Sequence, residues 1–385
     1  MAEPLPMSDI KLRVALFSGN YCATKDGAAV ALNRLVAFLE RQGVEVLVFS
    51  PTVDAPQMEP AGTLVPVASL PAPGRSEYRI ALGLPRGPRK RLAAFKPNLI
   101  HLSAPDLLGL AARRYAIKRG IPLVASFHTR FDTYFRYYGA KALEKKATNF
   151  LRYFYRPCRH VYAPSQSMVD ELRADGIGRD LRLWTRGVDC SLFGPGARDM
   201  AWRQSLGFAD DDVVVAFVSR LVKEKGLEIY ASVLDRLASQ GIAAKALVIG
   251  DGPERRWMAE RMPNAVFTGY LEGEALARGY ASGDVFLFPS VTETFGIVTL
   301  EAMASGLAPV CADASGSRSL IRDGENGFLV EHGDIAAFTE KTAALVVDAD
   351  LRRRVATAAT VTAADYDWDR AMQAILGHYK EAVAS

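Results

Sequence analysis

The chain has 385 residues, of which 49% are hydrophobic and 23% charged, and this composition is typical of a folded globular protein rather than a disordered one. Its length exceeds one ordinary hydrophobic core, so two domains are expected. The cysteines, Cys22, Cys158, Cys190 and Cys311, form no CxxC pair, which argues against a zinc site or a disulfide framework and favours a reducing cytoplasm. We expect no signal peptide and no membrane span.

The net charge of +4 hides an uneven distribution. Residues 1–195 carry 28 Lys and Arg against 16 Asp and Glu, a balance of +12, whereas the remaining residues carry 19 basic and 27 acidic side chains, a balance of −8. A basic half of this kind indicates contact with an anionic partner, either a phospholipid surface or nucleic acid. Uneven solvation is the alternative interpretation.

Short β-branched runs alternate with helical patterns along the chain, which predicts parallel sheets wrapped by helices in two doubly wound α/β domains. The strands predicted in the first half are Lys11–Phe17, Glu45–Phe49, Asn98–Leu102, Leu123–Phe127 and Arg159–Ala163. Those predicted in the second half are Val213–Val218, Ala246–Ile249, Ala265–Thr268, Asp284–Phe288 and Ala308–Cys311. A helix over Asp367–Ala384 is predicted to brace the first domain. The predicted domains are therefore 1–195, 196–365 and a C-terminal helix, 366–385.

Two segments of the second half carry most of the chemistry. The first, Arg220–Gly226, follows a buried strand and places two cations and a glycine at a strand-to-helix turn, where an anion such as a diphosphate is held. The second, Glu293–Glu301, follows the strand Asp284–Phe288 and sets two carboxylates on either side of a glycine turn, suited to the hydroxyls of a sugar and a ribose. Together they predict a nucleotide-sugar site.

Nearly the whole chain resembles the family-four retaining glycosyltransferases (glycosyl transferases group 1). The resemblance rests on both segments just described, on Arg186-Gly-Val-Asp189 and on Asp323-Gly-Glu-Asn-Gly-Phe328. It implies an α/β fold of GT-B architecture, in which two Rossmann-like doubly wound domains face each other across a cleft and the C-terminal helix crosses back to the N-terminal domain. It also implies a hexosyltransferase activity with a nucleotide-sugar donor.

The resemblance assigns roles to four charged residues of the second domain. Arg220 and Lys225 match the diphosphate clamp of the family, and their charge-assisted contacts would also stabilise the departing nucleotide. Glu293 matches the glutamate that contacts the hydroxyls of the donor sugar. Glu301 matches the ribose-binding glutamate. A surface helix start with salt bridges explains each glutamate alone, but not the pair at this spacing with cations upstream.

Further residues are assigned by position. The amides after Gly296, beginning at Ile297, are expected to approach the donor phosphates at a helix start. Gly27 lies where the family places a phosphate-proximal glycine, although an ordinary turn glycine explains it equally well. His128 ends a strand of the first sheet and matches a family histidine that touches the donor sugar. Arg130 is expected to bind an anionic group of the donor or acceptor.

No carboxylate is paired with a base as in a double-displacement glycosidase, so the resemblance implies a front-face retaining mechanism. In that mechanism the phosphate of the donor accepts the proton of the acceptor. Asp-x-Asp patterns begin at Asp210, Asp348 and Asp367, but each lies at a turn or before a helix, where aspartate caps amides. Arg220 and Lys225 replace the charge that Mg²⁺ would supply, and no metal or other cofactor is expected.

The segment Tyr134–His160 holds seven Lys and Arg, one acidic residue and eight Phe and Tyr. As a helix it predicts a basic stripe opposite an apolar side, an amphipathic pattern that fits an anionic membrane surface with Tyr134 and Tyr137 at headgroup depth. A core-packed helix with a solvated basic face is the alternative. The basic stripe consists of Lys141, Lys145, Arg152 and Arg156. The opposite side consists of Leu143, Ala147, Phe150 and Phe154.

These features, with the resemblance to sulfolipid and glycolipid synthases, predict transfer of a hexose or hexuronic acid, from UDP rather than GDP, to a membrane lipid such as diacylglycerol or a ceramide-like acceptor. The protein would be cytoplasmic and peripheral on the inner face of the cytoplasmic membrane. One alternative is transfer to a soluble or polyprenyl-linked glycan during cell-surface polysaccharide assembly. Another is a non-catalytic nucleic-acid-binding protein, which explains the basic half but leaves Arg220 and Glu293 without a purpose.

Overall fold

The structure is a computed structural model that describes residues 11–24, 26–72, 75–128 and 141–384, with the side chains of 75–77 and 141–143 left out. The chain divides into two compact units. Unit one comprises Met1–Thr185 and Asp369–Ser385, and unit two comprises Arg186–Trp368. Each unit is built around its own parallel sheet, which confirms the predicted pair of Rossmann-like α/β folds.

Within the described residues, unit one contains a seven-stranded parallel sheet and a separate antiparallel hairpin. The sheet strands are β1 (Arg13–Phe17), β2 (Glu45–Ser50), β3 (Thr63–Pro66), β6 (Leu99–Leu102), β7 (Leu123–Ser126), β8 (His160–Ala163) and β9 (Leu181–Leu183). The hairpin strands are β4 (Ser69–Ala72) and β5 (Arg75–Ala81). The helices are α1 (Gly27–Arg41), α2 (Arg86–Phe95), α3 (Leu107–Arg119), α4 (Lys141–Tyr155), α5 (Gln166–Ala174) and the C-terminal α14 (Trp368–Ala384).

Unit two contains a six-stranded parallel sheet. Its strands are β10 (Val214–Val218), β11 (Lys245–Ile249), β12 (Val266–Gly269), β13 (Val285–Phe288), β14 (Ala308–Ala312) and β15 (Phe328–Val330). Its helices are α6 (Met200–Ser205), α7 (Leu227–Ser239), α8 (Arg255–Arg261), α9 (Gly273–Ala281), α10 (Ile297–Ala304), α11 (Ser315–Arg318), α12 (Ile335–Val347) and α13 (Ala349–Ala364). Two short 3₁₀ turns span Pro195–Ala197 and Lys223–Lys225.

The strand orders locate a switch point in each sheet. In unit one the order is β3-β2-β1-β6-β7-β8-β9, so the chain reverses its direction of travel across the sheet between β1 and β6. In unit two the order is β12-β11-β10-β13-β14-β15, and the reversal lies between β10 and β13. Crevices outside the carboxyl ends of parallel strands at such reversals are where α/β proteins bind ligands.

Each of the ten predicted strands corresponds to an observed strand. Most of them are buried apolar runs in a parallel sheet, whereas β12 is only partly buried. The strands that the sequence did not reveal are short or partly exposed. β9 and β15 have three residues each, and β3 has one buried residue among its four. Such runs lack the sustained apolar pattern by which a strand is recognised.

The structure ends the first segment of unit one at Thr185, so residues 186–195, which we assigned to the first domain, belong to unit two. The reason is packing. Val188 and Phe193 are buried in the hydrophobic core of unit two, and the backbone N–H of Val188 donates to the carbonyl of Tyr366 at 3.0 Å. The glycine-proline turn at 194–196 is therefore internal to unit two and does not separate the domains.

A buried arginine holds the start of the unit-two sheet. Arg203 has no exposed surface; it donates to the carbonyls of Ser282 and Asp212 and lies 3.4 Å from a carboxylate oxygen of Asp284. That carboxylate also accepts the N–H of Val214 at 2.8 Å. Burial lowers the pKa of Arg203, and the Asp284 carboxylate opposes this effect.

Replacing Arg203 with methionine is expected to destabilise the protein by about 2 kcal/mol, because it leaves the carbonyl groups of Ser282 and Asp212 without their donor, whereas Asp284 keeps its ion pair with Arg198. The measurement is urea unfolding followed by tryptophan fluorescence. Arg236→Met, on the exposed surface of α7, is the matched control and should leave the midpoint unchanged. Equal midpoints for the two variants would show that the Arg203 contacts contribute nothing to stability.

Candidate active site

The segment that follows β10 is held by a glycine with a left-handed backbone. Lys223–Lys225 forms a 3₁₀ turn, and Gly226, with φ of +76°, joins it to α7. A β-carbon at Gly226 would lie 2.9 Å from the carbonyl oxygen of Pro289, at the end of the neighbouring strand β13. Glycine is therefore required both by conformation and by space, and it brings Lys225 to the switch point of the sheet.

Arg220 is exposed and lies between Ser219 and Leu221. The backbone of both neighbours is held by the loop Gly250–Gly252, which was not among the predicted site segments. The N–H of Leu221 donates to the carbonyl of Asp251 at 2.9 Å. β-Carbons at Gly250 and Gly252 would lie 1.9 and 2.4 Å from the carbonyl oxygens of Ser219 and Leu221. The Gly-Asp-Gly run directly after β11 was the available signal, because glycines there permit close backbone approach.

Glu293 lies in the loop after β13 and meets Lys225 across the switch point. The Nζ of Lys225 contacts Oε1 of Glu293 and donates to the Thr292 hydroxyl at 3.1 Å. The Lys225 and Glu293 side chains are 15% and 21% exposed, so this is a largely buried ion pair within reach of solvent. The structure thus brings together two of the predicted site residues, and their charges neutralise each other when no ligand separates them.

The Glu293 loop is supported by a second glycine that the sequence analysis did not single out. The N–H of Gly316, in α11, donates to the carbonyl of Glu293 at 3.0 Å. A β-carbon at Gly316 would lie 2.8 Å from the β-carbon of Glu293 and 2.9 Å from its carbonyl oxygen. The backbone of α11 therefore packs directly on the residue that carries the carboxylate.

Gly296 and Glu301 occupy the start and the middle of α10. Gly296, with φ of +92°, precedes Ile297, and no side chain caps this helix start. An uncapped start of a helix presents N–H donors and the positive end of the helix dipole to an anion.

The Tyr280 hydroxyl donates to Oε2 of Glu301 at 3.0 Å. Burial and then the Glu301 carboxylate raise the pKa of Tyr280, so its hydroxyl keeps its proton and orients Glu301.

Gly27 is exposed and is the first residue of α1, at the carboxyl end of β1. The helix start is capped by Asp26, whose carboxylate accepts the N–H groups of Ala28 and Ala29 at 3.1 and 2.9 Å. These two amides are therefore already satisfied by a carboxylate. Gly27 offers close approach of backbone to a ligand, but this helix start lacks the open amides found after Gly296.

His128 is half-buried and lies just beyond β7, at the same edge of the unit-one sheet as Gly27. Its Nε2 lies 2.8 Å from the Ser126 hydroxyl, and its ring meets Trp184 edge-on at a centroid distance of 5.7 Å. The predicted sites Arg130, Tyr134 and Tyr137 fall outside the described residues, as does the side chain of Lys141.

The predicted basic face of α4 is exposed at Lys145 and Arg152, and Arg156 is exposed just beyond the last helical residue. Arg152 donates to the carbonyl of Asp175 at 2.6 Å. The predicted apolar side is not uniform. Phe154 is fully buried in the core of unit one, as the alternative of a core-packed helix predicts, but Phe150 is 37% exposed because the helix packs on unit one through its last turn.

The two remaining motifs of the resemblance are structural in this chain. Asn326 is fully buried; its amide donates to Leu320 and to the hydroxyl of Thr362 on α13, and its side-chain oxygen accepts from Arg322. Gly187, directly after Arg186, packs closely on the backbone of Trp368. A β-carbon at Gly187 would lie 2.4 Å from the backbone nitrogen of Trp368. Both motifs thus fix loops of unit two.

In the part of the chain that the structure describes, no group of three or more His, Cys, Asp or Glu residues is arranged to hold a metal ion. The Asp348 carboxylate of one Asp-x-Asp pattern accepts the N–H groups of Asp350 and Leu351 and so caps α13. Among the described helices, none has both the length and the apolar character needed to cross a membrane.

Comparison with known protein families matches both halves of the chain. Residues 199–362 match the model described as "Glycosyl transferases group 1", and residues 25–192 match "Glycosyltransferase Family 4". The sulfoquinovosyl transferase SQD2 of Arabidopsis thaliana is 34% identical over 366 residues, covering 92% of this chain and 71% of the relative. The chain belongs to glycosyltransferase family 4.

Other members of the family carry different names. A GDP-mannose-dependent alpha-mannosyltransferase of Mycolicibacterium smegmatis is 34% identical over 377 residues, covering 96% of this chain and 97% of the relative. An alpha-monoglucosyldiacylglycerol synthase of Acholeplasma laidlawii is 24% identical over 340 residues, covering 82% and 84%. This family 4 member is therefore a glycosyltransferase enzyme, related both to glycolipid synthases and to mannosyltransferases.

A comparison of structures supports the fold. Sucrose-phosphate synthase from Thermosynechococcus elongatus superposes with a TM-score of 0.77 at 19% identity, covering 96% of this chain and 99% of that one. The expected GT-B class of glycosyltransferase fold is thus confirmed for this family 4 chain. At this identity the likeness concerns the fold alone.

Proposed function

We propose that the protein transfers a hexose, with retention of configuration, from a nucleoside diphosphate sugar to a membrane lipid. The observation that carries the proposal is the meeting of Lys225 and Glu293 at the switch point of unit two. A cation and a carboxylate that neutralise each other without ligand are suited to a donor with an anionic diphosphate and a hydroxyl-rich sugar. The diphosphate attracts Lys225, and the freed carboxylate accepts sugar hydroxyls.

The donor is bound by unit-two residues in this proposal. Arg220 and Lys225 contact the diphosphate, Glu293 contacts sugar hydroxyls, and Glu301 accepts the ribose hydroxyls. The amides that begin at Ile297, after the uncapped Gly296, bind a phosphate at the positive end of α10. The support is positional: every one of these residues follows the carboxyl end of β10 or β13, the neighbouring strands between which the sheet order reverses.

Replacing Tyr280 with phenylalanine is expected to raise the KM for the donor about fivefold with little change in kcat, because one hydrogen bond that orients a ribose ligand is worth roughly 1 kcal/mol. Tyr230→Phe is the matched control. The Tyr230 hydroxyl is equally buried and donates to the carbonyl of Val215, so its loss lowers stability without touching Glu301. Equal KM values for the two variants would contradict the proposal that Glu301 binds the ribose of the donor.

Two observations favour different nucleotide bases for the donor. The sequence favours UDP, whereas a relative that covers nearly the whole chain is named for GDP-mannose. Both bases present the same diphosphate and ribose, which is the part of the donor that Arg220, Lys225 and Glu301 bind. A panel must therefore include UDP- and GDP-sugars.

The proposed chemistry follows the front-face mechanism. The acceptor hydroxyl attacks the anomeric carbon on the face from which the diphosphate departs, and an oxygen of the departing phosphate takes its proton. Arg220 and Lys225 stabilise the negative charge that grows on the diphosphate. His128 contacts the sugar substrate, and Gly27 permits close approach of the backbone to a phosphate oxygen. No step of this route needs a metal ion.

The lipid acceptor is supported by the surface of unit one and by the name of a relative that makes a glucosyldiacylglycerol. Phe150 and Tyr153 are 37% and 51% exposed beside the cations Lys145 and Lys146 on α4. Aromatic rings mixed with cations are typical of surfaces that lie at lipid headgroups. The hairpin β4–β5 adds exposed apolar side chains, Leu70 and Ile80, which pair across the two strands.

Reversing the charge of α4 with Lys145→Glu and Lys146→Glu is expected to weaken binding to anionic vesicles by about 30-fold or more, since each basic group near the surface contributes roughly 1 kcal/mol and each introduced acid is repelled. The measurement is vesicle flotation with phosphatidylglycerol-containing and purely zwitterionic vesicles. Arg353→Glu with Arg354→Glu, on an exposed stretch of α13, is the matched control. Equal flotation of both double variants would contradict a membrane role for α4.

The test of the proposed function is incubation of the purified protein with a panel of UDP- and GDP-sugars and vesicles containing diacylglycerol, followed by mass analysis of the lipid extract. A new hexosyl lipid is the expected product, and it identifies donor and acceptor together. Transfer to a soluble or polyprenyl-linked glycan, with no lipid product, would contradict the proposal of a lipid acceptor. It would support the alternative of a glycosyltransferase that acts in cell-surface polysaccharide assembly. Nucleic acid is not expected to bind or to inhibit.

A further inference from the structure

A chain of polar side chains runs through the interior of unit one to His128. His101, on β6, has no exposed surface; its Nδ1 contacts the Tyr379 hydroxyl and its Nε2 lies 3.0 Å from the Ser126 hydroxyl. The same Ser126 hydroxyl lies 2.8 Å from Nε2 of His128. Ser126 and Tyr379 are also fully buried. The C-terminal helix α14, which supplies Tyr379, is thereby connected to the half-buried imidazole at the edge of the sheet.

The protonation of the interior members is fixed by burial. Burial lowers the pKa of His101 to about 3, so its imidazole is neutral and carries one proton. Burial raises the pKa of Tyr379 well above its usual range, so its hydroxyl keeps its proton. Each of the three interior groups, Tyr379, His101 and Ser126, therefore has one hydrogen to donate along the chain.

Three arrangements of these hydrogens connect all four residues. In the first, the Tyr379 hydroxyl donates to Nδ1 of His101, whose Nε2–H donates to Ser126. The Ser126 hydroxyl then donates to Nε2 of His128, and every hydrogen of the chain has an acceptor. In the reverse arrangement, Nε2–H of His128 donates to Ser126, which donates to His101. His101 then donates to Tyr379, whose own hydroxyl hydrogen is left without an acceptor among the four residues. In the third arrangement, Ser126 accepts from the Nε2–H groups of both imidazoles, and the hydroxyl hydrogen of Ser126 is left without an acceptor among the four residues.

The first arrangement is favoured because an unsatisfied donor on a fully buried residue is costly. Nε2 of His128 is then an acceptor, and in the neutral form of this ring the single proton lies on Nδ1. The ring of Trp184 packs edge-on against both imidazoles, with centroid distances of 5.7 Å to His128 and 6.1 Å to His101, and this packing holds the ring planes in place.

We propose that Tyr379, His101 and Ser126 are positioning residues that fix His128 in its Nδ1–H tautomer, so that this imidazole presents a hydrogen-bond donor rather than a base to an oxygen of the sugar substrate. The part that concerns the sugar rests on the proposed function. A donor at this position agrees with a route in which a phosphate oxygen, and not the protein, takes the proton of the acceptor hydroxyl. The tautomer itself is a property of the protein without any substrate.

The test is long-range ¹H–¹⁵N correlation NMR on protein labelled with ¹⁵N in its histidines, with the His128 signals assigned by their loss in His128→Gln. The wild type is expected to show a protonated Nδ1 and an unprotonated Nε2 for His128. Ser126→Ala removes the donor to Nε2, and His128 is then expected to populate both tautomers. Tyr379→Phe removes the hydroxyl that selects the direction of the chain and should shift the signals in the same sense.

Tyr162→Phe is the matched control, because Tyr162 is buried beside His101 but its hydroxyl has no hydrogen-bond partner in the described part of the chain. It should leave the His128 signals unchanged. Ser126→Ala is further expected to lower kcat/KM about fivefold, the value of one hydrogen bond, and Ser126→Thr, which restores a hydroxyl, should recover both tautomer and activity.

A wild-type His128 protonated on Nε2, or signals that do not change in Ser126→Ala, would overturn the proposal. The NMR signals are read without donor or acceptor, so they separate this inference from the proposed function. If the tautomer is as expected but no sugar is transferred, the hydrogen-bond chain stands and its role toward a sugar falls. If the protein transfers sugar but His128 has the opposite tautomer, the proposed hydrogen-bond chain is wrong and the proposed transferase function stands.

Discussion

Lys225→Ala is expected to lower kcat for sugar transfer by about 10²–10³-fold, the range seen when one preorganised group that stabilises developing charge is removed. Two effects combine. The charge of the departing diphosphate loses its cation, and the Glu293 carboxylate, now without its partner, repels the donor. Because the leaving-group charge grows in the transition state, kcat should fall more than KM rises. The measurement is steady-state kinetics with the donor that the panel identifies.

Lys223→Ala supplies the control for this prediction. Lys223 is an exposed lysine at the other end of the same 3₁₀ turn, so the substitution removes one cation from the same few residues without touching Glu293. It should leave kcat close to the wild-type value. The double variant Lys225→Ala with Glu293→Ala is expected to lose less than the product of the single losses, since the two side chains contact each other. Equal activity of Lys225→Ala and Lys223→Ala would refute the diphosphate clamp.

Gly316→Ala is expected to lower kcat/KM about 10²-fold, the cost that misplacing a reacting group by about 1 Å can reach. The new methyl group would meet the Glu293 carbonyl oxygen at 2.9 Å and its β-carbon at 2.8 Å, both too close, so the Glu293 loop must move. Gly316 has no positive φ, so alanine causes no backbone strain of its own. The loss is therefore steric and specific to the position of Glu293.

Gly377→Ala tests the specificity of that loss. Gly377 lies within the helix α14, and a β-carbon there would meet nothing within 4 Å. Alanine is favoured over glycine in a helix interior, so this control should keep full activity and gain a little stability. Circular dichroism and thermal melting would show that Gly316→Ala remains folded. A fully active Gly316→Ala protein would mean that Glu293 tolerates displacement and does not contact the reacting sugar.

The sequence was sufficient to predict the parallel α/β architecture, because buried strands such as β10 and β13 are uninterrupted apolar runs with polar residues directly after them. The placement of the Lys225 and Glu293 segments at one edge of the sheet was also predictable, since parallel strands bring their carboxyl ends to the same edge, but their direct contact was not. What the sequence does not contain is strand order. The adjacency of β10 and β13 appears only in the structure.

The supporting residues were missed for a related reason. Gly316, Gly250 and Tyr280 are far in sequence from the residues they position, and nothing in the local pattern around them distinguishes them from ordinary turn or core residues. The chain of Tyr379, His101 and Ser126 is equally non-local, because its members come from a helix and two strands that the fold brings together. In the sequence, a residue on a buried strand looks the same whether its side chain only packs in the core or positions a ligand-binding group.

The basic amphipathic segment shows where periodicity misleads. A helical wheel placed Phe150 and Phe154 on one apolar side, but only Phe154 is buried. Arg113, from α3, fixes the last turn of α4 by donating to the carbonyls of Tyr153 and Phe154 at 3.0 and 3.1 Å. This contact decides which part of the helix faces the core, and no pattern within the segment encodes it.

The measurement that tests the central claim most directly is the rate of hexosyl-lipid formation on diacylglycerol vesicles, followed by mass spectrometry for the wild type, Lys225→Ala and Gly316→Ala beside the controls Lys223→Ala and Gly377→Ala. A hexosyl lipid formed by the wild type and both controls, and strongly reduced in the two site variants, is the predicted result. A lipid product made equally well by all five proteins, or no lipid product while a soluble glycan is extended, would contradict it.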